Sequence, residues 1–235
     1  VKLPLMKIKA LIFDFDGLLV DTETPQMQTW QRLYQELGAD LRPEEWVQCL
    51  GTSPDAFDPI LDLRGKTSAI FDSDELKRQF KLQSTLAIEK ENLRPGMGLL
   101  LENAQKAGMA MAVASSSGRL WVETGLTRVK AGKYFQAVCT AEDVSRVKPD
   151  PELFQLALSR LNFAPQEAIV LEDSPMGIRA AKSAGMACVA YPNSISIHLD
   201  LSKADLIINS PQDLTLARIL DYFQHNQPKD IFRHK

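Results

Sequence analysis

Short apolar runs recur along the chain at Ile8–Phe13, Met109–Ala114, Ala168–Leu171, Ala187–Ala190 and Leu206–Ile208. Each is nearly continuous rather than alternating, which predicts strands of a parallel sheet covered on both faces. Between them, helical spacing of apolar positions predicts helices over Met97–Ala107, Pro151–Leu161, Met176–Ala184 and Asp213–Gln224. Gly108 and Gly185 stop the first and third of these, because glycine takes the left-handed conformation at little cost. A further helix is expected after Ser115-Ser116-Ser117-Gly118. Strands alternating with helices place the chain in the α/β class, as a doubly wound parallel sheet.

The stretch from Thr24 to Asn92 breaks that rhythm: it holds helix starts and no strand. Thr24-Pro25 reads as an N-cap followed by proline at the first helical position, with Gly38 as the stop. Arg42-Pro43-Glu44-Glu45 and Ser53-Pro54 repeat the proline-start signal, and a long polar–apolar pattern runs from Ser73 to Asn92. Residues 1–22 and 93–235 are therefore expected to form the α/β core, and residues 23–92 an inserted all-α cap domain. Trp30, Leu33, Tyr34 and Leu37 share helical spacing and are expected in the core of that insert. Asp21–Thr24 and Leu93–Gly96 are its candidate hinges.

Composition narrows the function classes. With 27 Lys+Arg against 30 Asp+Glu, the net charge of −3 leaves no basic stripe for nucleic acid. The longest apolar run, Ala107–Ala114, falls far short of the roughly 20 residues needed to span a bilayer. No signal peptide is expected, and Met6-Lys7-Ile8 resembles a natural start, with Val1–Leu5 as an extension. Cys49, Cys139 and Cys188 are odd in number and lack CxxC spacing, which fits buried thiols in a reducing cytoplasm rather than disulfides or zinc. The 3 histidines, His198, His225 and His234, crowd the C-terminal end, so acid–base chemistry is expected from carboxylates. Oligomeric state is left open, with a monomer as the default.

Open α/β sheets bind ligands at the carboxyl ends of their strands. The first run ends in Asp14-Phe15-Asp16-Gly17, the second in Ser115-Ser116-Ser117-Gly118, and Ala168–Leu171 in Glu172-Asp173-Ser174; Lys148-Pro149-Asp150-Pro151 opens a helix between them. Asp14 and Asp173, at the tips of neighbouring strands, would repel unless a cation lay between them, and an oxygen-only donor set suits Mg²⁺. A carboxylate beside Mg²⁺ can attack phosphorus and form an aspartyl-phosphate. Asp16 can serve as general acid and then general base. Ser115, Ser116 and the amides of the following helix start can bind phosphoryl oxygens, and Lys148 adds a compact positive charge. Taken singly, each motif also reads as a turn, a helix cap or a solvated lysine. Their convergence on one sheet edge favours a site.

The set Asp14-x-Asp16-Gly17, Ser115, Lys148-Pro149 and Glu172-Asp173 resembles the four signature motifs of the haloacid dehalogenase superfamily, closest to its β-phosphoglucomutase and phosphoglycolate-phosphatase-like branch. The resemblance covers essentially the whole chain, helical insert included. It implies Asp14 as nucleophile, Asp16 as general acid/base, Ser115 and Lys148 as phosphate binders and Asp173 as a Mg²⁺ ligand. It further implies that Asp16 ligates the metal through its backbone carbonyl, with Glu172 in or near the coordination shell. An aspartate two residues after the nucleophile marks phosphoryl transfer rather than dehalogenation in that superfamily. The expected activity is hydrolysis of a small phosphorylated metabolite of the sugar or polyol class. A β-phosphoglucomutase-like mutase is the alternative; against it, Gln26 stands where that pattern has histidine, and Gly51-Thr52-Ser53-Pro54 places proline where it has arginine. A phosphate-binding regulatory domain without catalysis is the weaker alternative, and the intact carboxylate–lysine set counts against it. Thr52, Ser53, Lys81 and Lys90 are candidate substrate contacts on the cap.

Overall fold

The computed structural model describes residues 8–49, 57–226 and 228. Among them, β1 (Ala10–Phe13), β2 (Ala110–Ala114), β3 (Ala137–Cys139), β4 (Ala168–Glu172), β5 (Ala187–Ala190) and β6 (Leu206–Ile207) form one sheet in the order β3-β2-β1-β4-β5-β6. Every pairing is parallel, with Phe13 opposite Val113 on one side and Leu171 on the other. The strand order reverses at β1. The chain runs outward through β2 and β3, then returns to lay β4 on the other side of β1. That reversal opens a crevice at the carboxyl ends of β1 and β4.

The continuous apolar runs follow from burial on both faces. Leu11, Phe13, Met111, Val113, Ile169, Leu171 and Val189 point into one core, packed by α5 (Met97–Lys106), α6 (Arg119–Arg128) and α9 (Leu216–His225). Ala10, Ile12, Ala112, Ala114, Ala168, Val170 and Cys188 point into the other, packed by α7 (Glu152–Leu161) and α8 (Pro175–Ser183). Three sequence expectations shift. The edge strand β3 had no apolar run to announce it, being only three residues long with two of them half-buried. The last helix starts at Leu216 rather than Asp213, because Thr215 caps it by accepting from Arg218 N. Leu206–Ile208 shortens to a two-residue strand.

Between β1 and α5 lie α1 (Glu23–Glu36), α2 (Pro43–Trp46), α3 (Pro59–Lys66) and α4 (Ser73–Ile88). Trp30, Leu33 and Tyr34 of α1 form a third core with Trp46, Ile60, Leu63 and Leu76, and Trp30 stacks on Phe80 at 4.5 Å. Leu37 packs against it partly buried. Ile195, contributed from beyond β5, ties this all-α unit to the sheet domain. Thr24 is not the N-cap: α1 begins at Glu23, and Asp21 accepts from both the Thr24 N–H and its hydroxyl. The helix α3 was not anticipated; Asp58 caps it through the Ile60 and Leu61 amides. Val20 and Leu93, on either side of this helical stretch, form an antiparallel bridge. Ser53-Pro54, Thr52 and the Val1–Leu5 extension lie outside the described residues.

Candidate active site

Register on the central strands brings the acidic residues together. Asp14 follows β1 and donates its N–H to Leu171 O, so it stands beside Glu172, the last residue of β4. The carboxylates of Asp14, Glu172 and Asp173 are buried, with one oxygen of each within 4.8 Å of the others. Lys148, equally buried, reaches this triangle from the loop before α7; its ammonium donates to Asp14 and to Glu172 Oε1, the latter at 2.7 Å. Glu172 Oε2 accepts from Asp173 N at 2.9 Å and from Ser174 N and Ser174 Oγ at 3.0 Å each. Both oxygens of Glu172 are therefore engaged by protein donors. Ser174 Oγ also accepts from Gly177 N and caps α8.

The charges do not balance. Burial, more than any neighbour, pushes Asp14 up to about 8; Lys148 opposes this, while Glu172 and Asp16 add to it. Burial likewise raises Asp173 well above the usual carboxylate range, with Glu23, Glu172 and Asp14 reinforcing it and Arg94 opposing. Lys148 is held protonated above its ordinary value by Asp14 and Glu172, against the effect of burial. With all three carboxylates ionised, one ammonium would leave a net negative pocket lined by oxygen, which is why Asp14 and Asp173 hold their protons in the absence of a cation. That donor set fits a hard divalent cation such as Mg²⁺.

Asp16 sits at the rim, with Oδ2 accepting from Ser117 Oγ at 2.6 Å and Oδ1 from Trp121 Nε1 at 2.9 Å. Ser115 is buried, and its hydroxyl accepts from Ser117 N at 3.0 Å, which folds the loop ahead of α6 over the end of β2. Lys148 thus contacts Asp14 and Glu172 directly, Asp173 lies in the same buried cluster, Asp16 and Ser115 flank them, and Ser116 is exposed.

Several residues at this edge had drawn no functional expectation. Asn193 Nδ2 lies 3.0 Å from Asp173 Oδ2, 3.2 Å from Gly17 O and 2.7 Å from Glu23 Oε2, knitting β5's far end to the first motif and to α1. Glu23, in the first turn of α1, faces Asn193, and burial beside Asp21 and Asp16 pushes it up to about 7. The buried Arg94 guanidinium donates to Gly17 O, Tyr191 O and Pro192 O and lies over the Tyr191 ring. Ser117 and Trp121 hold Asp16. None of these partners is near its target in sequence; Arg94 falls inside the predicted hinge Leu93–Gly96 and Ser117 inside the strand-end motif Ser115-Ser116-Ser117-Gly118, whereas Asn193 and Trp121 had no local marker. His198 and His225 are exposed, as are Lys81 and Lys90. Cys139 and Cys188 are buried free thiols.

Comparison with known proteins identifies the family. The family model for haloacid dehalogenase-like hydrolases matches residues 11–191. The protein YhcW of Bacillus subtilis (strain 168) is 37% identical over 215 residues, covering 92% of this chain and 97% of its own. Validoxylamine A 7'-phosphate phosphatase of Streptomyces hygroscopicus subsp. limoneus is 33% identical over 211 residues, covering 89% and 96%. The crystal structure of CbbY from Rhodobacter sphaeroides in complex with phosphate superposes with a TM-score of 0.67 at 30% identity, covering 91% of this chain and 99% of that one. The chain belongs to the haloacid dehalogenase-like hydrolase family and is a hydrolase of the phosphomonoesterase kind.

Proposed function

We propose that the protein is a Mg²⁺-dependent phosphatase that hydrolyses a small phosphorylated sugar or polyol through an aspartyl-phosphate on Asp14. The observation that carries this reading is the buried triangle of Asp14, Glu172 and Asp173 with Lys148 bridging two of its members. A divalent cation would balance its charge and could hold a phosphoryl oxygen beside Lys148. Asp14, Asp173 and the Asp16 carbonyl would hold the ion, with Glu172 beside them fixing Lys148. When bound, Mg²⁺ neutralises the crowded carboxylates and draws charge from the phosphoryl oxygens.

The chain's own groups then divide the work. Asp14 attacks phosphorus as the ester bond breaks, and Asp16 supplies the proton to the departing oxygen. Asp16, now ionised, takes a proton from water, which attacks phosphorus and regenerates Asp14. Ser115, the Ser116 backbone and Lys148 receive the phosphoryl oxygens. Residues 23–92 act as a lid, hinged where Val20 meets Leu93, that excludes water and selects the leaving group. The sugar-phosphate class draws support from the name of the validoxylamine phosphate phosphatase relative. The free thiols of Cys139 and Cys188 support a reducing, cytoplasmic setting. Among the described residues no helix is long and apolar enough to cross a membrane.

Gln26, on α1, keeps the mutase reading second, since an amide cannot exchange a proton at neutral pH as histidine does. The test is phosphate release from a panel of sugar and polyol phosphates, with Mg²⁺ and with chelator. Metal-dependent release supports hydrolysis. Isomer interconversion without release makes the protein a mutase, and no turnover of any phosphate ester, aryl phosphate included, makes it a binding domain.

A further inference from the structure

Both oxygens of the Asp16 carboxyl are claimed by α6 and the loop before it, and the two donors are chemically unequal. Trp121 Nε1 faces Oδ1 at 2.9 Å, and Ser117 Oγ faces Oδ2 at 2.6 Å. An indole N–H only donates, whereas a hydroxyl donates or accepts. The hydroxyl oxygen of a carboxylic acid is a poorer acceptor than its carbonyl oxygen, so an indole N–H aimed at Oδ1 favours the carbonyl form there. When Asp16 is a carboxylic acid, its proton belongs on Oδ2, where the Ser117 hydroxyl can turn to accept it.

We propose that Trp121 is a positioning residue for the general acid: its indole N–H reserves Oδ1 as an acceptor, so that Asp16 delivers its proton from Oδ2. The inference rests on the reading of Asp16 as acid/base. In the first step a bond forms from Asp14 to phosphorus and the ester P–O bond breaks. The electron pair stays on the leaving oxygen, which takes the proton from Asp16 Oδ2. Asp16 is left as a carboxylate accepting from both Trp121 and Ser117, ready to act on water.

The placement of the indole follows from the fold. One turn further along α6, Gly125 lies so close to the Phe15 ring that a Cβ there would fall 2.3 Å from Phe15 Cζ. Phe15 separates Asp14 from Asp16 in sequence, so this approach draws α6 onto the motif. The indole also lines a cavity of about 660 Å³ shared with Phe15, with the exposed Leu120 of α6 and with Thr85 and Ile88 of α4. Open space on that side means that swapping the indole for a smaller ring does not force a repacking of the sheet core.

The test is Trp121→Phe, which keeps an aromatic ring and deletes the donor. The measured quantity is kcat/KM, which reports steps through departure of the leaving group, for glycerol phosphate and for p-nitrophenyl phosphate. An alkoxide needs a proton to leave and a nitrophenolate does not. The expected result is a loss of about tenfold or more for the alkyl ester and less than about threefold for the aryl ester. A parallel loss for both esters, or no loss for either, overturns the proposal by making Trp121 structural. Asp16→Asn is run on the same pair: if it fails to separate the esters, the acid/base reading itself has failed. If Asp16→Asn separates them and Trp121→Phe does not, that reading stands and the positioning role is wrong. Should Trp121→Phe fold poorly by circular dichroism, benzothienylalanine at position 121 keeps the bicycle with sulfur in place of N–H, and the same two outcomes decide.

Discussion

Gly177→Ala separates the packing argument from simple helix propensity, because the two predict opposite signs. Gly177 lies in the first turn of α8, where alanine is the better helix former by about 0.8–1 kcal/mol. A Cβ there, however, would sit 1.7 Å from Glu172 Oε1 and 1.9 Å from Glu172 Cδ. The methyl group is attached to helix backbone, so the carboxylate has to retreat. Its hydrogen bonds to Lys148 at 2.7 Å, to Asp173 N at 2.9 Å and to Ser174 N and Oγ at 3.0 Å leave no room for that movement. Losing two hydrogen bonds to a charged group costs about 3–6 kcal/mol, which outweighs the gain in propensity. The net destabilisation is then about 2–5 kcal/mol, and at roughly 2–4 °C per kcal/mol the Tm falls by roughly 4–20 °C. Lys148 loses its second anchor in the same movement, so kcat/KM on an aryl phosphate falls at least about tenfold. Thermal unfolding followed by circular dichroism and a phosphate-release assay read both numbers. A variant with wild-type or higher Tm and unchanged kcat/KM refutes the claim that α8 presses on Glu172 and that Glu172 positions Lys148.

Further outcomes follow from the electrostatics and the hinge. Burial raises Asp14 from the ordinary 3.8 to about 8, so the metal-free folded state holds a proton that the unfolded chain releases; this contribution to stability is complete below pH 3.8 and is lost as pH rises toward 8. Mg²⁺ competes with that proton, so its Tm increment grows between about pH 5 and about pH 8, reaching roughly 5–10 °C at a hundredfold excess over Kd. An increment as large at the lower pH contradicts the account of the carboxylate cluster. Arg94→Lys replaces a guanidinium that donates to Gly17 O at 2.7 Å, Tyr191 O at 2.8 Å and Pro192 O at 2.6 Å. A single ammonium cannot reproduce that fork, so calorimetry is expected to show a loss of about 2–4 kcal/mol, and an unchanged melting profile removes Arg94 from the hinge.

The parts of the fold legible in sequence are those whose burial is two-sided. β1, β2, β4 and β5 are central, so both faces must be apolar, and the runs follow. β3 lies at the edge with Ala137 and Val138 half-buried, and nothing in so short a stretch distinguishes it from loop. The motif residues were legible for a related reason: chemistry at a parallel sheet collects at strand ends, and Asp14, Ser115 and Glu172-Asp173 each fall at or just past one. The supporting residues were not, because their meaning depends on distance in space alone. Trp121 meets Asp16 across 105 positions, and Asn193 meets Gly17 across 176. Nothing local marks a tryptophan on α6 as a donor to a carboxylate. Gly177 was equally silent, since neither its conformation nor its neighbours in sequence hint at the carboxylate lying against it.

The central claim is that Asp14 carries the phosphoryl group between two chemical steps, and rapid acid quench tests it most directly. The Mg²⁺-loaded enzyme is mixed with a turning-over phosphate ester, quenched, digested and examined by mass spectrometry across the peptide containing Asp14 and Asp16. One phosphoryl group is expected on Asp14, present in the wild type and absent in Asp14→Asn. Turnover with the phosphoryl group on another residue, or sustained turnover by Asp14→Asn, contradicts it.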